Sequence, residues 1–413
     1  MNREVLVLGA GMVGTCTALH LAMRGHAVTL VDRCAPGLET SYGNAGIIQR
    51  EVVEPYAFPR SLSKLLSVAL RRGADIDYHA GALPGMGGAL ARYWRNSGAG
   101  RYPAIADAYA RLIEHSTAEH APLIAAAGAD DLVRREGYLH VFRNAASFDA
   151  AVARARALAR SHGLRHAVLD ADALASAEPA LQRRLAGAIH WLDPWSVSDP
   201  GELVSRYAAQ FQRLGGRLVE GDAATLRQTP AGGWVVRTAD GGLQAEHAVV
   251  ALGPWADLLM RRLGYRMPLF VKRGYHRHYA GATGPRLPLY DADRGLVLAP
   301  MRRGVRLTTG AELAGLDAPA TPRQLGMAER IARELLELPV PVEPQPWLGA
   351  RPCTADMKPV IGMAPNHRGL WLNFGHAHQG FTLGAMSGKL LAQLIDGETP
   401  LVDPAPYSPR RFL

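Results

Sequence analysis

The chain reads as an α/β protein: a doubly wound, mainly parallel sheet joined to an α+β domain whose sheet is mainly antiparallel. Three observations predict this. Glu4-Val5-Leu6-Val7-Leu8 runs into Gly9-Ala10-Gly11-Met12-Val13-Gly14, then an apolar helical pattern, then Ala27-Val28-Thr29-Leu30-Val31-Asp32. Residues 266–312 alternate apolar and polar side chains as antiparallel strands do. At 413 residues the chain also exceeds what one hydrophobic core supports.

The elements follow in order. Strand, glycine turn, helix and strand fill 3–32, the opening of a Rossmann-like fold. Residues 33–59 form a loop rich in Gly, Pro, Asn and Ser, and helical patterns continue to about Ala127. Gly137 to Phe142 reads as a strand, with helices at about 148–162 and 200–214. Gly216 to Glu220 has the look of a short buried strand, the third of the parallel set. Trp234 to Thr238 and its neighbours suggest a β meander, and His247 to Leu252 a buried strand ending at Gly253-Pro254, where a helix starts. Phe270-Val271-Lys272, Tyr275 to Tyr279 and Leu296-Val297-Leu298 read as separate strands, and a helix at about 321–337 precedes the closing segment.

Composition excludes several classes. Apolar residues make up 48 % and charged residues 20 %, ordinary for a globular protein. No apolar run approaches the roughly 20 residues that span a bilayer, and the first strand begins too early for a secretory signal. The expectation is a cytoplasmic protein without an integral membrane segment, with peripheral contact at the inner membrane left open. Cys16, Cys34 and Cys353 show neither a disulfide framework nor C-x-x-C spacing. The net charge of +9 comes from 46 basic and 37 acidic side chains, and only four of the basic ones are lysines: Lys64, Lys272, Lys358 and Lys389. Basic residues occur singly or in pairs, so no nucleic-acid partner is expected. A dispersed positive field that draws in small anions explains the balance.

The glycine turn carries the first functional signal. Gly9 permits the tight turn, Gly11 lets a pyrophosphate approach the backbone, and Gly14 lets helix and strand pack closely. The helix N-terminus offers N–H groups to phosphates, and Asp32 stands where a carboxylate meets ribose hydroxyls. There is only one such fingerprint; Gly85-Met86-Gly87-Gly88 follows a proline and reads as a helix start. A flavin bound here is therefore reduced by the substrate itself.

Near the other end, Gly380, Gly384 and Gly388 form a stripe on one helix face, so something packs hard against that backbone. Helix packing explains Gly384 and Gly388, while the free N–H groups from Gln379 to Leu383 suit the flavin pyrimidine oxygen, where negative charge builds up on reduction. Arg351, before Pro352, offers a planar fork for a carboxylate; the alternative is an interdomain salt bridge. His276/His278 and His376/His378 are H-x-H pairs without acidic or cysteine neighbours at matching spacing, so no metal is expected. Tyr275 either hydrogen-bonds the substrate or packs.

Together these segments resemble the FAD-dependent amine oxidoreductases of the D-amino-acid oxidase and dehydrogenase superfamily, which includes glycine oxidase and sarcosine oxidase. The resemblance rests on Val7 to Gly11 through Asp32-Arg33, Thr40-Ser41-Tyr42-Gly43-Asn44-Ala45-Gly46, Ala251-Leu252-Gly253-Pro254-Trp255, Gly274-Tyr275 and the block 349–393. Asn44 to Glu51 with Pro55 to Pro59 looks most like bacterial D-amino-acid dehydrogenases, including those that oxidise D-proline and D-hydroxyproline.

The resemblance implies an FAD-binding domain from 1–85, 148–265 and 346–413, and a substrate domain from 86–147 and 266–345. It places FAD against Gly9, Gly11, Met12, Val13, Gly14, Asp32, Arg33, Ser41, Asn44, Ala45, Gly46 and Ile47. Ala223, Gly253, Trp255, His378, Gly380, Phe381, Thr382 and Leu383 complete the cofactor set. Arg351 binds the substrate carboxylate, and Tyr275, His276 and His376 complete the pocket. Asp32 stands where these enzymes usually have glutamate. The position that carries covalent flavin in sarcosine oxidases falls at Leu348-Gly349, with Cys353 displaced, so non-covalent FAD is expected.

The implied reaction is oxidation of a small D-amino or D-imino acid, best D-hydroxyproline or D-proline, by hydride transfer from the α carbon to flavin N5, giving an imine. No side chain is assigned as a certain catalytic base. The electron acceptor is a quinone, another respiratory carrier or oxygen. The rival readings are a glycine- or sarcosine-type amine oxidase and the flavoprotein subunit of a heteromeric dehydrogenase.

Overall fold

A computed structural model describes residues 2–281 and 283–412. The first strand, Glu4–Leu8, is buried from Val5 onward because it runs down the middle of an eight-stranded sheet. It pairs in parallel with Ala27–Asp32 on one side and His247–Val250 on the other. Arg217–Gln228 and Leu370–Phe374 extend the parallel set outward, and Val360–Met363 closes one edge antiparallel. The meander Trp234–Thr238 and Gly241–Ala245 closes the other.

The strand expected to be short and buried at 216–220 differs on both counts. It spans Arg217–Gln228, and among its residues only Leu226 is fully buried. Its stretch Glu220 to Ala224 faces a cavity rather than the core.

The first helix, Met12–Ala22, packs so closely on the turn that a Cβ at Gly14 would stand 1.8 Å from the Gly9 carbonyl oxygen. Its other neighbour is the last helix, Gly380–Asp396. A Cβ on Gly384 would lie 2.6 Å from Met12 Cγ, and one on Gly388 2.9 Å from the Cys16 backbone. The glycine stripe is thus a helix-crossing surface over those two positions.

A second sheet of 11 strands is mainly antiparallel and centres on Leu269–Ala280. That strand pairs with Gly304–Thr308 along one edge and with Trp347–Thr354 along the other. The strands expected separately at 270–272 and 275–279 are therefore one. Gly274, between them, stays in the ladder opposite Gly349.

The sheet also takes in pieces that the sequence pattern concealed: Ile76–Tyr78, His166–Asp170 and Gly187–Trp191. His166–Asp170, Gly187–Trp191 and Trp347–Thr354 thus pair into the antiparallel sheet. A small third sheet joins Ile47–Ile48 and Val133–Arg134 through Trp195–Val197. The helices Ala145–His162, Pro200–Arg213 and Arg323–Ala332 match expected elements. Among the described residues no helix is long and apolar enough to cross a membrane.

Candidate active site

One cavity of about 1000 Å³ runs from the first glycine turn to the strand that carries Arg351. At its nucleotide end the backbone does most of the shaping. Gly9 has φ +106°, and a Cβ there would stand 2.5 Å from the Ala251 carbonyl oxygen. The Met12 amide, at the start of the helix, donates to Ser41 Oγ at 2.9 Å. Asp32 accepts the Ala10 amide at 2.6 Å and the Cys34 amide at 3.0 Å, which fixes the turn beneath the site where ribose is expected. Arg33 lies 4.5 Å over the Trp255 ring and pairs with Glu39 at 2.8 Å. Asn44 Oδ1 accepts the Gly46 and Ile47 amides at 2.8 and 3.3 Å, folding the loop back on itself.

The expected cofactor residues divide clearly. Gly9, Gly11, Met12, Val13, Asp32, Arg33, Ser41, Asn44, Ala45, Ile47, Ala223, Gly253, Trp255, His378, Gly380 and Phe381 all line the cavity. Four do not. Gly14 is spent on helix packing, and Gly46 on a left-handed turn whose Cβ would meet the Val197 carbonyl at 2.2 Å. The Thr382 hydroxyl accepts the Gln49 amide at 3.2 Å, and Leu383 lies in the core. An FAD fits what remains: a glycine cradle at a helix N-terminus suits the pyrophosphate, and the cavity continues far enough to take the ring.

At the other end side chains dominate. Arg351 lies in the middle of Trp347–Thr354, not at its end. Its guanidinium passes over Gly274, where a Cβ would be 2.5 Å from Nη2. Nη1 donates to the Gly310 carbonyl at 2.8 Å and the Arg273 carbonyl at 3.3 Å, and Nη2 to the Thr309 carbonyl at 3.5 Å. These partners are backbone oxygens, so the interdomain salt bridge weighed for this arginine is not what holds it. Lys272, opposite Arg351 in the ladder, also faces the cavity. Its Nζ bonds Tyr93 Oη at 3.0 Å and sits 4.4 Å from that ring. Burial lowers the pKa of both cations.

Burial pulls His376 down to about 3, and burial with Arg351 and Lys272 nearby pulls His378 well down. Both line the cavity. Of the other expected substrate residues, Tyr275 lines the cavity and His276 does not. His276 is buried and stacks 4.7 Å from Trp347 with planes 15° apart, so Trp347 and not the imidazole borders the cavity. The Tyr275 hydroxyl points to the other face of the strand, donating to Glu312 at 3.3 Å and accepting the Thr321 amide at 2.8 Å. Glu312 itself is paired with Arg273 at 2.6 Å, both buried. Strand alternation explains the switch: odd-numbered 273 and 275 share one face, and Lys272 and Gly274 share the other.

Several lining residues went unread. Trp347 is packed so tightly that a Cβ on Gly43 or Gly349 would fall within 2 Å of its ring, at 1.8 and 1.9 Å. Tyr56, Tyr138, Tyr290 and Gln49 complete the wall. Lys272 had a usable signal, since lysine is scarce in this arginine-rich chain. His276 and His278 do not form a metal site with their neighbours: among the described residues no cluster of three or more His, Cys, Asp or Glu is placed to hold a metal.

A glycine cradle at a helix N-terminus opens into a cavity that ends at two buried cationic side chains, and comparison with known proteins identifies the family. The chain belongs to the FAD dependent oxidoreductase family, whose model matches residues 4–394. A D-amino-acid oxidase of Bradyrhizobium diazoefficiens is 31 % identical over 100 % of this chain and 99 % of its own length. A D-amino acid dehydrogenase of Chromohalobacter salexigens is 30 % identical over 99 % of each. Among solved structures, glycine oxidase from Geobacillus kaustophilus shares the fold with a TM-score of 0.73, at 21 % identity over 98 % of each chain. L-proline dehydrogenase from P. horikoshii does so with a TM-score of 0.72, at 17 % identity over 100 % of this chain and 98 % of that one. The protein is an FAD-dependent oxidoreductase.

Proposed function

We propose that this enzyme oxidises small D-amino or D-imino acids at the α carbon, D-hydroxyproline and D-proline first among them, and releases the imine. The observation that carries the reading is Arg351, a guanidinium facing the cavity with backbone oxygens as its described partners. A cation in such a place favours an anionic ligand, and its fork matches a carboxylate. The relatives named as D-amino-acid oxidase and dehydrogenase support the stereochemistry.

Arg351 binds the carboxylate, and Gly274 leaves the room its guanidinium needs. Trp347, Tyr56 and Tyr290 give flat walls that suit a compact pyrrolidine ring and exclude water. Lys272 adds positive potential without a carboxylate partner of its own. The flavin, when bound, supplies the two-electron acceptor. Its binding is non-covalent in this reading, since among the described residues no cysteine lines the cavity. A quinone, another respiratory carrier or oxygen takes the electrons onward.

Anaerobic bleaching of the bound flavin by D- and L-amino acids, glycine, sarcosine, and both enantiomers of proline and hydroxyproline tests the proposal. Fast bleaching by D-hydroxyproline or D-proline is expected. Bleaching by glycine or sarcosine alone would replace the reading with an amine oxidase, and bleaching by L-amino acids alone would reverse the stereochemistry. Colour that stays with acid-precipitated protein would overturn non-covalent binding.

A further inference from the structure

The cavity has a polar wall that carboxylate binding leaves unused. Gln49, Tyr138 and Tyr290 line it, and behind them Glu51 is buried at 4 % exposure. Glu51 Oε1 accepts the Tyr138 hydroxyl at 2.6 Å and Gln49 Nε2 at 2.9 Å, while Oε2 has no hydrogen-bond partner. Gln49 is held in turn by Gln379 at 2.7 Å. The Tyr138 hydroxyl lies 2.5 Å from His140 Nε2 and 2.9 Å from Gln49 Nε2.

A carboxyl retained only for packing would have both oxygens satisfied, because an unmet buried acceptor is destabilising. This one is instead wired for two protonation states. When Glu51 is ionised, Tyr138 donates to it. When Glu51 carries a proton, it donates to Tyr138, which turns its own proton to His140.

We infer that Glu51, acting through the Tyr138 hydroxyl, takes the proton that an ammonium substrate sheds before its α hydrogen leaves. This rests on the amino-acid reading above. The substrate N–H bond breaks and nitrogen keeps the electron pair. Tyr138 Oη receives that proton as it passes its own to Glu51 Oε1, so a carboxylate becomes a carboxylic acid. Nothing is oxidised or reduced in the step.

The surroundings leave Glu51 as the matched acceptor. Burial raises it to about 7, against the opposing hydrogen bonds from Tyr138 and Gln49 and with a further push from Asp193. The other titratable groups that face it are poor competitors. Tyr290 is raised to about 12 and Tyr56 is raised as well, so both stay protonated, and His140 is pulled down to about 3. Arg50, next in the chain, donates to the His162 carbonyl. Across the cavity, Lys272 Nζ is engaged by Tyr93 Oη and Arg351 by backbone carbonyls, and His376 and His378 are too weakly basic. Asp75 is committed to Lys64 at 2.5 Å.

The test is the pH profile of anaerobic flavin bleaching in the holoenzyme, for wild type, Glu51→Gln and Tyr138→Phe. Wild type will lose rate about tenfold per pH unit below a break near 7. In both variants the break will move to the more alkaline pKa of the free amine, with a rate about 10²-fold lower at pH 7 and near-complete recovery at alkaline pH. A merely structural role would lower the rate at all pH values and leave the break in place, and that outcome overturns the inference. If no amine bleaches wild type, the substrate reading has failed. Glu51 is then judged by infrared difference spectra of the holoenzyme: a protonated-carboxyl band titrating near 7 and absent from Glu51→Gln supports a proton-holding site, and a carboxylate already ionised at pH 5 ends the proposal.

Discussion

The two ends of the cavity solve opposite problems with opposite means. At the nucleotide end, glycines and amides do the holding, and the charges present are already answered: Asp32 accepts two amides and Arg33 pairs with Glu39. At the substrate end charge is left unanswered. Arg351 rests on carbonyl oxygens, Lys272 on an aromatic ring and a phenol, and Glu51 keeps one free oxygen. A cofactor that stays bound is met by a satisfied, rigid surface. A substrate that comes and goes is met by groups whose missing partners it supplies.

The sharpest way to break this contrast is at the rigid end. Gly14→Ala puts a methyl 1.8 Å from the Gly9 carbonyl oxygen. The helix must move off the turn, at about 1–3 kcal/mol of overpacking, and the purified protein is expected to lose its flavin absorbance altogether. Retained colour would show that the turn yields more than its packing suggests.

Arg351→Leu acts at the other end, away from the glycine turn. It will raise KM for carboxylated substrates about 10²-fold or more while FAD stays bound, and Arg351→Lys will recover only part because the fork is gone. An unchanged KM would remove Arg351 from its role.

Gly274→Ala is a milder version of the same test. Its methyl would sit 2.5 Å from the guanidinium, so a rise in KM of about tenfold is expected with kcat little changed. Stability against pH offers a further reading. Glu51 is raised from 4.5 to about 7, so its contribution is fully present below pH 4.5 and is lost as pH rises through 7. Over that window about 3 kcal/mol is at stake, and Glu51→Gln should flatten the slope in chemical denaturation. The smallest effect belongs to Tyr275→Phe. Because its hydroxyl serves Glu312 and Thr321, KM will change less than about twofold while stability falls by about 1 kcal/mol.

The same contrast explains what could be read from the chain. Contacts of the nucleotide end are local: Gly9, Gly11 and Gly14 within one turn, and Asp32 at the end of the next strand, all follow from spacing. The opening strand, turn, helix and strand were legible for the same reason, whereas the pairings to Arg217–Gln228, His247–Val250 and Leu370–Phe374 join segments far apart in sequence. The substrate end depends on partners far apart in sequence. The resemblance implied Tyr275 and His276 for the pocket; Tyr275 lines the cavity but turns its hydroxyl to Glu312, and Trp347 intervenes before His276. Nothing near Gly43 announces that an indole from residue 347 will occupy the space of its missing side chain. Glu51 and Tyr138 meet across 87 residues, which no periodicity records. The strands at 166–170 and 187–191 are brief, and His166–Asp170 has no fully buried residue, so neither advertised itself.

The crossing of the first and last helices at Gly384 and Gly388 has a consequence for biogenesis. The first helix is made well before the surface it docks on and the strand Leu370–Phe374 beside it. At 5–20 residues per second the opening strand and glycine turn wait about 20–70 s for that last-helix surface. During that interval the apolar face around Met12 and Cys16 stands uncovered. Flavin capture is therefore expected only once Gly380–Asp396 has emerged, and a nascent chain stalled before Gly380 should be colourless.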